Sequence, residues 1–257
     1  MDMSFSLPFI ILTFHQLSIP ITVMPTMKGL TISSPGAPPS ISCSIPIPEP
    51  GEGQILVKTS YAAINPMYPR LPTIISPLLL TFHSDDSMAS SGFLVQSYPF
   101  TPGCDASGCV VATSPNATSA LGTPWAIGDK VFGCTRLGAQ GFAAWAEYLL
   151  FDAALCIPVP PNLEIDMAAA AGTGVALFTA SLGVFDGLGV HLEKGKMQGE
   201  DEEWALVFGG AGSVGQFAVQ LLRVAGFNVV ATASARSVDV RPAFAIPDRH
   251  LLTKSSM

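Results

Sequence analysis

A glycine-rich turn between a short apolar strand and a helix is the feature that most constrains this chain. Residues 204–208 before the turn are apolar, residues 213–225 have a helical pattern that Gly226 ends, and residues 227–232 form a second apolar run. This order predicts the first βαβ unit of a doubly wound α/β domain. The turn follows the pattern G-x-G-x-x-G and consists of Gly210, Ala211, Gly212, Ser213, Val214 and Gly215.

Each glycine of the turn has a physical role in such a unit. The first allows the tight turn, the second lets a pyrophosphate approach the backbone, and the third lets the helix pack on the strand. The N–H groups at the N-terminus of the helix, together with the helix dipole, favour a bound phosphate. The pattern therefore predicts a dinucleotide site. The alternative is a glycine turn that only connects a strand to a helix.

The residues that follow the second strand indicate which dinucleotide is preferred. Proteins that bind NAD carry an acidic residue there, which accepts hydrogen bonds from the ribose hydroxyls. Residues 231–237 contain no acid. Ser234 and Ser237 can donate hydrogen bonds, and Arg236 can pair with a 2′-phosphate. We therefore expect NADPH rather than NADH as the cofactor. The alternative is that Arg236 is only a solvated surface cation.

The chain before the turn changes from a β pattern to a helical one. Short apolar runs at residues 54–60, 105–113 and 143–151 are separated by glycine and proline, which predicts the strands of a small barrel-like domain. Residues 166–185 are rich in alanine and apolar over a length that favours helices over strands. The sequence thus predicts an α/β protein in two parts.

Composition and charge exclude several classes of protein. Of the 257 residues 49% are apolar, which is ample for a buried core, and the net charge of −7 does not suit a nucleic-acid backbone. The cysteines are odd in number and none are spaced as CxxC, which argues against a disulfide framework or a structural zinc site. Reduced thiols are typical of a cytoplasmic protein. The cysteines are Cys43, Cys104, Cys109, Cys134 and Cys156.

The first 23 residues do not continue either pattern. Residues 3–27 carry no charge, as a targeting or membrane segment would, yet Asp2 is acidic where a signal peptide is basic. Prolines also interrupt the apolar run, which suits a spanning helix poorly. We expect residues 1–23 to lie outside the fold, with Met24 or Met27 as a natural start and no membrane contact. A targeting segment is the alternative.

Five short motifs occur in a characteristic order. They are Asn-Pro at residues 65–66, Pro-Gly-Cys-Asp-Ala-Ser-Gly at 102–108, Gly-Asp-Lys-Val-Phe-Gly at 128–133, Ala-Glu-Tyr at 146–148 and the glycine turn at 210–215. In this order they resemble the medium-chain dehydrogenase/reductase superfamily. Within it they are similar to the zinc-independent quinone-oxidoreductase and enoyl-reductase branch, especially the fungal trans-acting enoyl reductases of polyketide synthesis. The resemblance implies a GroES-like, mostly-β catalytic domain and a Rossmann domain, with the active site between them.

The resemblance also implies roles for individual residues. It places the nicotinamide near Asn65, Pro66 and Met67. It places the substrate near Gly172, Thr173, Gly174, Val175 and Thr179. Thr173 and Thr179 are the candidates for direct action on the substrate, and the alternative for both is a hydrogen bond to a nearby backbone carbonyl. The family often carries a lysine or tyrosine near the Asn-Pro motif as proton donor. No matching lysine occurs here, so no proton donor is identified.

The same comparison predicts that no metal takes part. Zinc enzymes of the superfamily have a cysteine at the position of Asn65 and a His-Glu pair at the position of Cys104 and Asp105. Asn65 is not an ordinary zinc ligand, and Cys104 with Asp105 does not supply the three protein ligands of a catalytic zinc site. We therefore expect polarisation of the substrate by hydrogen bonds.

Together these features predict an NADPH-dependent reductase of the activated double bond of an α,β-unsaturated carbonyl. The implied substrate is a small-molecule or carrier-bound enoyl compound, and a polyketide synthase is the partner that the resemblance suggests. Reduction of a quinone is an alternative of the same class. A truncated, non-catalytic protein that only binds a carrier domain or another partner is an alternative of a different class.

Two stretches match the family poorly and set the expected domain boundaries. Residues 68–84 interrupt the Asn-Pro motif without a usable period, which indicates an insertion such as a retained intron. Residues 238–257 show no second βαβ unit and read as a non-matching tail. We expect a catalytic domain at residues 24–165, then connecting helices and the first βαβ unit at residues 166–237.

The short cofactor part has a physical consequence. Two parallel strands and one helix leave apolar strand residues without cover, and parallel sheets are normally buried on both faces. We expect this chain to fold poorly and to be a poor enzyme. The strand residues expected to lack neighbours are Leu206, Val207, Phe208, Val229 and Val230.

Overall fold

The computed structural model describes residues 24–65, 92, 94–162, 164–192, 203–234 and 237, and the backbone of residues 251–254. The predictions of a leader at residues 1–23 and an insertion at residues 68–84 lie outside these ranges. So do the predicted roles of Pro66, Met67 and Arg236. No helix within the described ranges is long and apolar enough to cross a membrane.

The N-terminal half consists of two antiparallel sheets. A hairpin joins β1 (Thr26–Thr31) to β2 (Ser40–Pro46). A five-stranded sheet has the order β6-β3-β4-β5-β7 and is antiparallel throughout. Its strands are β3 (Gln54–Ala62), β4 (Asp105–Thr113), β5 (Lys130–Cys134), β6 (Tyr148–Asp152) and β7 (Ile157–Pro158).

Both faces of the central strand β3 are covered, which explains its continuous apolar run. Ile55 and Val57 are fully buried in the main core of this half, together with Phe151 of the neighbouring strand. Leu56 packs in a second cluster with Leu150. Because successive side chains of a strand point to opposite faces, the two clusters lie on opposite sides of the sheet. Each large apolar side chain buried in this way stabilises the fold by roughly 1.5–3 kcal/mol.

The predicted helical region 166–185 forms two short helices, and the second continues as a π-helical segment. These are α1 (Met167–Ala171), α2 (Gly174–Ser181) and the segment Leu182–Gly187. Asp166 caps α1, because its carboxylate accepts a hydrogen bond from the Ala168 N–H at 2.9 Å. The Ser107 hydroxyl of β4 donates to the Met167 carbonyl at 2.6 Å, which attaches α1 to the five-stranded sheet.

The C-terminal half contains the predicted strand, glycine turn, helix and strand. These are β8 (Trp204–Val207), α3 (Ser213–Val224) and β9 (Asn228–Ser234), with the two strands parallel. Val219 and Leu222 of α3 are buried against Val229 and Ala231 of β9. The predicted stop at Gly226 is confirmed: this residue has φ +98° and donates its N–H to the Arg223 carbonyl at 3.0 Å.

The parallel sheet has one strand more than the sequence predicts. β10 (Leu251–Lys254) pairs parallel with β9, so the order is β10-β9-β8. The prediction of only two parallel strands is therefore wrong, because a four-residue strand is too short to show a period of its own. The division of the chain at residues 166 and 238 stays a prediction.

The exposure of the parallel strands follows the expectation only in part. Val229 is 3% exposed, so the prediction that it lacks neighbours is wrong, because α3 covers it. Leu206 and Phe208 are 52% and 79% exposed. β8 therefore presents apolar side chains at the edge of the sheet.

A predicted strand at residues 143–151 is shorter in the structure, where β6 begins at Tyr148. The preceding residues bond to a different partner. The Ala144 N–H donates to the Gly103 carbonyl at 2.9 Å, and the Trp145 N–H donates to the Pro102 carbonyl at 3.1 Å. These two bonds hold the segment against residues 102–103 rather than in the ladder with β3.

Candidate functional site

The glycine turn is packed too tightly for side chains at two of its positions. A Cβ on Gly210 would lie 2.6 Å from the Ala231 Cβ of β9. A Cβ on Gly215 would lie 2.9 Å from the Gly210 Cα and still closer to the Gly209 carbonyl oxygen. The turn is also bonded to β9, because the Gly210 N–H donates to the Thr232 carbonyl at 2.8 Å. Glycine at these two positions therefore lets the turn and the start of α3 pack closely against β9 and against the backbone of residues 209–210.

Gly212 leaves the front of the turn open. It is the N-cap residue of α3 and makes no side-chain capping bond. Among the described residues, the one atom found within 4 Å of a Cβ built on it is the Gly209 carbonyl oxygen, at 3.2 Å. The first amides of an α-helix have no partner within the helix, and here they belong to Ser213, Val214 and Gly215. The turn therefore fits a phosphate group, which would accept hydrogen bonds from these amides.

The end of β9 brings together two of the predicted cofactor residues. The hydroxyl oxygens of Ser234 and Ser237 lie 2.9 Å apart, so one donates a hydrogen bond to the other. Ser234 is exposed at the last position of the strand. Hydroxyls at the carboxyl end of β9 lie on the side of the sheet where dinucleotides bind in open α/β folds.

The structure brings Asn65 next to the segment predicted to contact the substrate. The contact runs through Asp105, which is fully buried at the start of β4. The Asn65 Nδ2 donates to one Asp105 carboxylate oxygen at 3.0 Å, and the Val175 N–H donates to the other at 2.7 Å. A Cβ on Gly174 would lie 2.7 Å from the Gly133 carbonyl, so only glycine permits this approach. Residues 65 and 174–175, far apart in sequence, thus form one site.

The two threonines differ in what the structure shows. The Thr173 hydroxyl donates to the Ala170 carbonyl at 2.7 Å, which is the alternative given above for this residue. Thr179 lies one turn after Val175 in α2 and is half-buried, on the same helix face. Gly172 is exposed between the two helices, where its N–H donates to the Ala169 carbonyl at 3.0 Å.

Trp145 supports this site and was not identified from the sequence. Its Nε1 donates to the Ala63 carbonyl at 3.2 Å, and the Ala63 N–H donates to the Asp105 carbonyl at 3.0 Å. These bonds fix the backbone two residues before Asn65. Gly103 has φ +96°, and a Cβ there would lie within 2.8 Å of the Trp145 Nε1. The glycine that precedes Cys104 in its motif is the sequence signal for this contact.

Cys134 also lies at the site, and the sequence did not identify it because its position there depends on strand pairing. β4 pairs with β5 so that Asp105 lies opposite Cys134. Ligand atoms of Cys104, Asp105 and Cys134 all lie within 4.8 Å of one another, a group that could hold a metal ion. Each Asp105 oxygen also accepts one hydrogen bond, from Asn65 or from Val175. The absence of a metal stays a prediction.

A cavity of about 420 Å³ lies elsewhere, beneath the β1–β2 hairpin. Its walls come from the hairpin, from residues 99–101 and from residues 139–148. None of the predicted site residues within the described ranges lines it. The cavity and the Asn65 site are therefore separate features.

Comparison with known proteins finds similarity in both halves of the chain. The family model of the alcohol dehydrogenase GroES-like domain matches residues 51–161. A trans-enoyl reductase of Penicillium crustosum is 30% identical over 225 residues, which are 85% of this chain and 55% of that protein. A chloroplastic quinone oxidoreductase of Triphysaria versicolor is 29% identical over 76% of this chain and 51% of that protein. The chain spans about half the length of these curated relatives.

Solved structures share the fold. A mycobacterial protein solved in complex with NADPH superposes with a TM-score of 0.61, over 90% of this chain and 60% of that one. The two sequences are 22% identical, so the likeness shows the fold alone. It covers the antiparallel half and the parallel half together.

Proposed function

Because this chain belongs to the medium-chain dehydrogenase/reductase superfamily, a family of oxidoreductases, we propose that it takes part in the NADPH-dependent reduction of an activated carbon–carbon double bond. The observation that carries the proposal is the glycine turn at residues 210–215. Its tight packing on β9 and its open front fit a dinucleotide phosphate.

The cofactor chemistry assigns each group a task. NADPH supplies a hydride when it is bound. The amides at the N-terminus of α3 hold the phosphates, and Ser234 and Ser237 at the end of β9 offer hydroxyls to the ribose side. Arg236 supplies the positive charge that favours a 2′-phosphate. Asn65 and the start of α2 lie together, and we propose them as the walls that orient the nicotinamide and the substrate.

The substrate class follows from similarity to the trans-enoyl reductase. We propose an α,β-unsaturated carbonyl, either a small molecule or a compound attached to a carrier, with a polyketide synthase as partner. Reduction of such a compound develops negative charge on the carbonyl oxygen, which hydrogen-bond donors stabilise. Quinone reduction is the second candidate, because the quinone oxidoreductase matches at nearly the same identity.

The sharpest test of the cofactor site is Gly212→Asp. Asp and Gly are both accepted at an N-cap and differ by only a few tenths of a kcal/mol, and a Cβ here would lie 3.2 Å from the Gly209 carbonyl oxygen, so the stability of α3 should change little. The Asp carboxylate would lie where the phosphate binds, so NADPH binding should be lost through repulsion. Urea unfolding shows that the variant is folded, and titration of NADPH fluorescence measures its affinity. A folded variant that binds NADPH normally would refute the site.

Gly212→Asn is the matched control, because it caps the helix without a charge. It should be as stable as the Asp variant and should retain more affinity for NADPH.

Arg236→Ala tests the choice of cofactor. It should weaken NADPH by about 1.5–3 kcal/mol, as for a hydrogen bond to a charged group, and leave NADH unchanged. Equal losses for both would show that Arg236 does not contact the phosphate.

Activity is tested by following the loss of NADPH with two acceptors, an enoyl thioester and a quinone. Turnover of the thioester with little turnover of the quinone supports the main proposal. The reverse supports the second candidate. Binding of NADPH with turnover of neither acceptor would support the binding-only alternative.

A further inference from the structure

One buried carboxylate contacts both walls of the proposed site. Asp105 is fully buried, and its two oxygens accept hydrogen bonds from the Asn65 Nδ2 and the Val175 N–H. Its backbone carbonyl accepts the Ala63 N–H at 3.0 Å, two residues before Asn65. Three hydrogen bonds from two distant segments, residues 63–65 and Val175, therefore converge on Asp105.

The bond to Val175 replaces a local helix cap. Thr173 is the N-cap residue of α2 and makes no side-chain capping bond, and its hydroxyl donates to the Ala170 carbonyl. Asp105, 70 residues earlier in the chain, accepts the Val175 N–H in its place. A negative charge at this end of a helix is also favoured by the helix dipole. Asp105 thus determines where α2 begins relative to the five-stranded sheet.

The bond to Asn65 decides the orientation of its amide. A carboxylate can only accept hydrogen bonds, so the amide NH₂ must face Asp105. The amide oxygen then points to the opposite side. The side of Asn65 that faces away from Asp105 therefore carries its hydrogen-bond acceptor, the amide oxygen.

We propose that Asp105 is a positioning residue, which sets the hydrogen-bonding polarity of Asn65 and docks the N-terminus of α2 against the five-stranded sheet. Its effect on the cofactor rests on the proposed function. Its effect on Asn65 and Val175 does not. The two can therefore be tested separately in the same protein.

Asp105→Asn is the informative variant, because it keeps the size of the side chain. Its one amide oxygen can still accept the Val175 N–H, but its NH₂ then faces the NH₂ of Asn65. Asn65 must turn its amide over to present its oxygen. We expect a large shift of the Asn65 side-chain amide peak in NMR spectra of nitrogen-labelled protein, assigned by its loss in Asn65→Asp. Hydrogen exchange at the Val175 amide should stay slow.

Asp129→Asn is the matched control. The Asp129 carboxylate also accepts a backbone N–H, from Ala126 at 2.8 Å, but it lies in a turn that has no bond to Asn65. This variant should leave the Asn65 amide peak unchanged. Gly174→Ala is the second perturbation. It should speed exchange at the Val175 amide, because a Cβ there would contact Asp105 and the Gly133 carbonyl.

NADPH affinity is measured in the same variants. We expect Asp105→Asn to weaken NADPH about tenfold, which corresponds to one reversed hydrogen bond. Exchange of the two residues, Asn65→Asp with Asp105→Asn, restores the donor–acceptor pair between positions 65 and 105, so affinity should recover. An unchanged Asn65 amide peak in Asp105→Asn would overturn the proposal. A wild-type protein that does not bind NADPH would instead refute the proposed function, and the amide peak and the exchange rate would still decide the role of Asp105.

Discussion

Replacement of Gly215 by alanine tests the packing of the glycine turn. Alanine in a helix is normally more favourable than glycine by about 1 kcal/mol. Here its Cβ would lie 2.9 Å from the Gly209 carbonyl carbon and the Gly210 Cα, and closer still to the Gly209 oxygen. All three atoms belong to the backbone, so no side chain can rotate away. The turn between β8 and α3 must open.

The magnitude follows from two opposing terms. Forcing an extra methyl group into a packed site costs about 1–3 kcal/mol. The gain in helix propensity offsets up to about 1 kcal/mol of this cost. Because the contacts are with backbone atoms, we take the cost at the upper end of this range and expect a net loss of about 2 kcal/mol in the free energy of unfolding. Tm should fall by roughly 2–4 °C per kcal/mol for a chain of this size.

The assay compares Gly215→Ala with Gly183→Ala by urea unfolding and NADPH titration. Gly183 lies in the π-helical segment, and no atom of the part of the chain that the structure describes comes within 4 Å of a Cβ built on it. Gly183→Ala should therefore be neutral or stabilising and bind NADPH normally. Gly215→Ala should be less stable and bind NADPH more weakly, because opening the turn moves the α3 amides. Equal stability and equal affinity in the two variants would refute the reasoning.

Three further predictions concern other parts of the chain. Burial raises the pKa of the Cys156 thiol from 9.0 to about 12, so between these pH values the unfolded thiol loses a proton that the folded one keeps. Stability should therefore fall as pH rises, by up to about 1.4 kcal/mol per pH unit, and Cys156→Ala should flatten the plot of urea midpoint against pH. Arg136 donates two bonds of 2.6 Å to Asp152 and is 56% exposed, so Arg136→Lys should cost less than about 1 kcal/mol by thermal unfolding, and less in high salt. A larger loss would show that the pair is not screened. Leu206→Lys should reduce aggregation measured by light scattering, because Leu206 is 52% exposed on the edge strand β8. Val207→Lys should instead destabilise the domain, because Val207 is half-buried and packs against the core between α3 and β9.

The local pattern of the sequence was sufficient to predict several individual strands and helices. The strand Asp105–Thr113 has the bounds predicted for it, and α3 ends where Gly226 predicts. These features depend on neighbours within a few residues: a period of apolar side chains, a glycine that accepts positive φ, and a turn between them. The superfamily could be identified for the same reason, since its motifs are short and keep their order.

The tertiary structure alone decided which residues meet. Asn65, Asp105 and Val175 form one site only because β3, β4 and the start of α2 converge, and Cys134 joins them through the register of β4 and β5. β10 became visible only through its pairing with β9. Such contacts depend on strand register and on how closely two backbones can approach, as at Gly174 and Gly133. A sequence read along the chain records composition and period at each point, and it does not record the distances between points far apart.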